Sequence, residues 1–180
     1  MNILMVADHT HAAEQIRAAF GTKDNTLFHV STPKRALAIL DDPKEYGDYD
    51  LVVADNDMQP EGGFSLSREI KLRKMGGATM PPILLLLARP QDIWLANWSQ
   101  CDAWAIKPVS PLDLGEVGDA IVAGLAIPDL PGIGSDPQPL PIEEGYRPEY
   151  ERQLASRGWV PDNPADSIMP VGVPAHKELG

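Results

Sequence analysis

At 180 residues, 43% of them hydrophobic and 23% charged, the chain has room for one domain with a sizeable core plus an appendage. A formal charge of -11 argues against nucleic acid as a partner, because binding a phosphate backbone needs a basic face. Cys101 is the single cysteine, so no intrachain disulfide forms, and the longest apolar run, Pro81–Ala88, is far shorter than the ~20 residues of a membrane helix.

Asn2–Val6 is a compact apolar run ended by Ala7-Asp8-His9-Thr10; it predicts a first strand, with Thr10 as the N-cap of a helix. It begins where an export signal would need a charged region and an apolar core, so none is expected and the cytoplasm is the expected location. The stretch HAAEQIRAAF puts Ala12, Ile16, Ala19 and Phe20 at helical spacing and closes on Gly21. Thr26–Ser31 reads as a second, more polar strand, and Pro33 opens the helix PKRALAIL. Leu51–Ala54 reads as a short buried strand stopping at Asp55, after which Asn, Asp, Gln, Pro and two glycines announce a loop. A helix follows over Phe64–Met75, with Phe64, Leu66, Ile70 and Leu72 inward. Ile83–Leu87 is uniformly apolar and suits a central strand covered on both faces. Gln91–Ser99 predicts a short helix, Cys101–Ile106 a fifth strand, and Pro111–Ala126 a last helix. Five βα units predict an α/β fold, a five-stranded doubly wound parallel sheet over residues 1–126.

From residue 127 the composition changes: ten of the 18 prolines lie in 127–180. Such a segment is expected to be extended and unable to continue the sheet. Within it Glu149–Arg157 reads as a short helix, and Tyr146, Tyr150, Leu154, Trp159 and Val160 are apolar anchors that a spacer would not need. The expectation is a docking arm for its own domain or a partner, set against the plainer reading of a disordered linker.

Three strand ends carry notable polar residues: Asp8 after the first, Asp55 after the third and Lys107 after the fifth. In a parallel sheet with the first strand central, all three face the crevice at the carboxyl ends of the strands, where such sheets bind ligands. Add the proline- and glycine-containing loop from Asp55 to Gly63, the Pro82–Ala88 strand and the dipeptide Lys107-Pro108, and the chain resembles the receiver domain of two-component response regulators over residues 1–126. The resemblance implies a flavodoxin-like sheet and Asp55 as the acceptor of a phosphoryl group from a histidine kinase. It further implies that Asp8 and Asp55 bind Mg²⁺, that Asp57 offers its backbone carbonyl to the metal, and that Lys107 pairs with the phosphoryl oxygens. The chemistry agrees, since a carboxylate nucleophile needs a divalent cation and a cationic side chain to offset the incoming charge.

Three positions depart from the family pattern. Ala7 stands where the first of two adjacent acids is usual, Leu87 replaces the Thr or Ser that hydrogen-bonds the phosphoryl group, and Trp104 is larger than the usual Tyr or Phe. Asp57 would either replace the carboxylate lost at Ala7 and keep a metal, bound weakly or not at all, or repel a phosphoryl donor; as a solvated loop acid it would do neither. His9 is a lone loop histidine, more often solvated than metal-bound.

The first functional reading is therefore an atypical receiver, or pseudo-receiver: a non-enzymatic signalling or assembly module with phospho-switching weakened or lost. Its partner protein would dock on the face made by the fourth helix, fifth strand and fifth helix, where Trp94 and Trp98 are candidate contacts, and on the tail through Tyr150 and Trp159. The alternative is a phosphorylatable single-domain response regulator. A third reading takes Asp55-Asn56-Asp57 as the DxD motif of an aspartate-nucleophile phosphatase; it also needs a Ser or Thr after a later strand, where Leu87 stands, and an acid pair beyond the lysine, where Pro108–Gly115 offers only Asp113.

Overall fold

A computed structural model describes residues 1–135. The anchors Tyr150 and Trp159, and the helix expected over Glu149–Arg157, lie outside the described residues. In chain order the elements are β1 (Asn2–Val6), α1 (Thr10–Phe20), β2 (Thr26–Val30), α2 (Pro33–Leu40), a single helical turn (Pro43–Tyr46), β3 (Leu51–Asp55), α3 (Gly63–Met75), β4 (Ile83–Leu87), α4 (Ile93–Trp98), β5 (Ala103–Ile106), α5 (Pro111–Val122) and β6 (Ile133–Gly134). The sheet order is β2-β1-β3-β4-β5-β6, with β1 to β5 parallel and β6 antiparallel to β5. The α/β parallel sheet matches the sequence reading. The sixth strand does not: five strands were expected, with nothing from the proline-rich segment. Proline bars a strand only where its missing N–H or fixed φ is at issue, and Pro128 and Pro131 stop short of the two residues that pair.

Strand alternation builds the two faces of the core. Ile3 and Met5, Leu51 and Val53, Leu84 and Leu86, and Ala103 and Ala105 turn to one side, where Ile16 and Phe20 of α1 and Leu114 and Val117 of α5 cover them. Leu4 and Val6, Val52 and Ala54, and Ile83, Leu85 and Leu87 turn to the other, under α2, α3 and Ala96 of α4. Because both faces are covered, the buried positions of β1, β3 and β4 are apolar except for Asp55 at the end of β3.

Element ends follow local chemistry. Thr32 caps α2, its hydroxyl accepting the Arg35 N–H at 3.2 Å, with Pro33 in the first turn. Thr32→Ala is expected to cost about 1 kcal/mol in urea unfolding, the usual worth of such a cap. At α1 the residue preceding the helix is His9, with no side-chain cap, and the expected cap Thr10 is already helical. Helix α5 stops at Val122, four residues short of the expected Ala126, because Gly124 takes φ +66° and the N–H groups of Gly124 and Leu125 bond back to Ile121 and Ala120. Strand β5 starts at Ala103, two residues later than expected. The Asp102 carboxylate there is turned to the Lys71 ammonium, at 2.7 Å, and to the Ile83 N–H, at 2.8 Å. On α3, Leu66 and Ile70 are buried as expected, whereas Leu72 is exposed. Among the described residues no helix is long and apolar enough to cross a membrane.

Candidate functional site

Asp55 closes β3 with only 1% of its surface exposed. Register holds it there: Asp55 lies opposite Leu86, and the Asn56 N–H bonds to the Leu86 carbonyl at 2.9 Å. The next strand end is tied in turn, since the Lys107 N–H bonds to the Leu87 carbonyl at 2.7 Å. Backbone pairing thus brings Asp55 and Lys107 together across 52 residues, and the Lys107 ammonium donates to Asp55 Oδ1 at 2.6 Å and to Asp57 Oδ2 at 2.8 Å. Asp55 Oδ1 also accepts the Asp57 N–H at 3.3 Å; Oδ2 accepts from none of the described residues.

Burial alone would lower the Lys107 pKa, but its hydrogen bonds to Asp55 and Asp57 and their charges outweigh that and raise it above the ordinary lysine value. Lys107 is therefore the counter-ion of both loop acids. Asp57 extends toward Lys107 and is not a merely solvated acid, although its side chain is 41% exposed.

The loop is folded by its own polar residues. Asn56 Oδ1 accepts the Phe64 N–H at the start of α3, at 3.2 Å, and Met58 is buried in the core under α2, α3 and α4. Asp8 Oδ2 accepts the Gln59 N–H at 2.9 Å, so the end of β1 is stitched to the loop after β3. Sequence reasoning missed both Met58 and the Asp8–Gln59 link. A methionine amid loop residues was a signal for the first; the second has no signature, because a backbone donor is the same at every residue. His9 Nε2 lies 3.4 Å from Asp8 Oδ1 and is mostly exposed.

Mg²⁺ asks for oxygen ligands and keeps several waters. Asp55 Oδ2 accepts no hydrogen bond from the described residues, which suits such an ion, whereas Asp8 Oδ1 faces His9 Nε2 at 3.4 Å and Asp8 Oδ2 accepts the Gln59 N–H. The third expected carboxylate, Asp57, is committed to Lys107, and among the described residues no three acidic, histidine or cysteine side chains gather around one point.

Comparison with known proteins decides the family. Two curated relatives, the uncharacterized response regulatory proteins Rv3143 and MT3230 from two strains of Mycobacterium tuberculosis, are each 32% identical over 121 residues, a match covering 64% of this chain and 86% of the relative. This chain belongs to the response-regulator receiver family. Solved receivers share the fold. A receiver domain of a histidine kinase from Syntrophus aciditrophicus has a TM-score of 0.57 at 22% identity, covering 68% of this chain and 90% of that one. A CheY-like receiver from Methanospirillum hungatei has a TM-score of 0.55 at 21% identity, covering 68% and 94%. No protein-family model matches the chain.

Ala7, Leu87 and Trp104, the three positions expected to depart from the family pattern, each pack or hydrogen-bond within the domain. Ala7 is buried in the α1/α5 layer; its N–H bonds to the Val30 carbonyl, and its own carbonyl accepts from His29 Nε2 at 2.8 Å. Leu87 is fully buried on the opposite face, among the apolar side chains under α2, α3 and α4. Trp104 is half-buried, and its indole N–H donates to Asn97 Oδ1 on α4 at 3.2 Å. Trp94 and Trp98, by contrast, are 66% and 58% exposed, so helical spacing there does not mean core; the Arg68 guanidinium stacks over Trp98, 4.9 Å from the ring centre. Asp113, the only acid within Pro108–Gly115, sits in the first turn of α5, where its N–H bonds to Ser110 Oγ.

Proposed function

We propose that this receiver is an atypical one that works as a signalling or assembly module through protein contacts, with phosphorylation-driven switching weakened or lost. The observation that carries this is Leu87. A receiver registers a phosphoryl group through a hydroxyl at that strand end, and leucine has no donor; its side chain is packed into the core instead. The partner is a protein that accepts Trp94 and Trp98 on the α4–β5–α5 face, since large exposed aromatics anchor interfaces. The tail, with Tyr150 and Trp159, would serve as a second contact that raises avidity. The setting is the cytoplasm, with neither membrane nor nucleic acid as partner.

A second reading is favoured by Asp55 Oδ2, which has no donor from the described residues while Lys107 neutralises Oδ1. Oδ2 would attack the phosphorus of a donor such as a kinase phosphohistidine, forming an aspartyl phosphate as the bond from phosphorus to the donor breaks. Asp8, Asp55 and the Asp57 carbonyl would hold the Mg²⁺, weakly, and the ion would offset charge on the phosphoryl oxygens.

Acetyl phosphate with Mg²⁺, read by intact mass and by the indole N–H resonances, separates the two readings. The expected result is an unmoved Trp104 indole signal, whether or not the mass rises. A mass increase that disappears in Asp55→Asn establishes phosphate acceptance. A Trp104 shift that disappears in the same variant overturns the weakened-switch reading.

A further inference from the structure

Lys107 is one cation shared by two carboxylates: its ammonium donates to Asp55 Oδ1 at 2.6 Å and to Asp57 Oδ2 at 2.8 Å. An ammonium has three donors, so this clasp leaves one. The charges do not balance either, since a single lysine faces two acids before any further anion arrives. A phosphoryl group on Asp55 Oδ2 would bring more negative charge to the same pocket, and Lys107 is the cation placed to offset it.

The two acids hold Lys107 on different terms. Asp55 closes β3 and is 1% exposed, so its carboxylate is fixed by the strand. Asp57 stands in the loop beyond, with a side chain half open to water. Its backbone N–H bonds to Asp55 Oδ1 at 3.3 Å, and the side chain can turn away from Lys107 without breaking that bond. A second cation stands nearby: Arg89, after β4, is paired with Asp92 and is near enough for the Asp57 charge to act on it.

We infer that Asp57 is an internal competitor for the phosphoryl group: its carboxylate occupies the Lys107 donor that the phosphoryl oxygens need, and leaves it when Asp55 is loaded. The inference rests on the reading of Asp55 as a phosphate acceptor, and it adds a cause of weakened phosphorylation distinct from Leu87. Only the fraction of molecules in which Asp57 has let go is ready to bind, and the apparent affinity for the anion falls by that fraction.

The test is a titration of the full-length protein with beryllium fluoride in the presence of Mg²⁺, followed through the Asp55 and Lys107 amide resonances. Asp57→Asn removes the charge from Lys107 and Asp57→Ala the whole partner. Glu61→Gln removes the same charge from an exposed residue of the same loop that is not a partner of Lys107. Each Asp57 variant is expected to bind about tenfold more tightly than the wild type, and Glu61→Gln to stay within about twofold of it. Unchanged or weaker binding in the Asp57 variants overturns the inference. So does an equal gain in Glu61→Gln, which would trace the effect to net charge and not to occupation of Lys107. Binding by none of the proteins overturns it as well, because vacating Lys107 then admits no anion. The amide spectrum reports the fold of each variant, and either Asp57 variant alone decides. Acetyl phosphate, read by intact mass, keeps the underlying reading apart. Wild type and Asp57 variants modified on Asp55 at one rate would sink the competitor and leave the acceptor standing; no modification in any of them would remove the acceptor too.

Discussion

Replacing Lys107 by methionine is expected to lower the unfolding free energy by about 3 kcal/mol at pH 7, measured in urea. The ammonium lies 2.6 Å from Asp55, which is almost wholly buried, and 2.8 Å from Asp57. Taking away one partner of a buried pair leaves an uncompensated charge, and such losses run to about 3–5 kcal/mol. The lower end applies because Asp57 is 41% exposed and can turn to water. By the same reasoning Asp57→Asn should cost no more than about 1 kcal/mol.

The effect also has a pH signature. The Lys107 pKa is raised in the folded protein, since bonds to Asp55 and Asp57 overcome the opposing effect of burial. A raised group contributes stability that is fully present below the unfolded lysine value of about 10.4 and is lost as pH climbs through the folded value. Wild-type stability should therefore decline in the alkaline range above about pH 10, and Lys107→Met should lack that component of the decline. A methionine variant as stable as the wild type would show that the two acids are solvated and that Lys107 is not their counter-ion.

Leu87→Thr, the substitution that restores the usual hydroxyl, is expected to destabilise the protein by about 2–4 kcal/mol, without restoring a switch. Leu87 is completely buried among apolar side chains under α2, α3 and α4. Threonine removes volume from that layer and leaves a hydroxyl where the neighbouring side chains are apolar, so a cavity cost and a desolvation cost add. The ring that would have to respond is held by Asn97 on one side and faced by Gly134 on the other. Thermal melting should show the loss, and the indole spectrum with a beryllium fluoride analogue should show no Trp104 displacement. A stable Leu87→Thr protein whose Trp104 moves with the analogue would mean that the hydroxyl is all the switch lacks.

The convergence of Asp8, Asp55 and Lys107 was legible because each stands directly after an apolar strand, and parallel strands end on one side of a sheet. What their side chains then do was not. Asp8 bonds a backbone N–H of Gln59, and Asp57 shares Lys107 with Asp55. The turn after β3 decides these contacts, not the identity of the acids. Trp94 and Trp98 show the same limit. Their spacing on α4 fits an inward or an outward face equally well, and only the packing of Ala96 against the sheet sends both rings outward.

Local sequence determined the α/β alternation and the five strands that form the parallel part of the sheet. Each of these depends on residue type and on period along the chain, which neighbours in sequence already set. Tertiary structure decided the sixth strand, the burial of Ala7 in the core, the two-acid clasp on Lys107 and the close approach of Gly134 to Trp104. These depend on distances between segments 28 to 52 residues apart or on which face of a helix meets the sheet, and no local pattern encodes such distances.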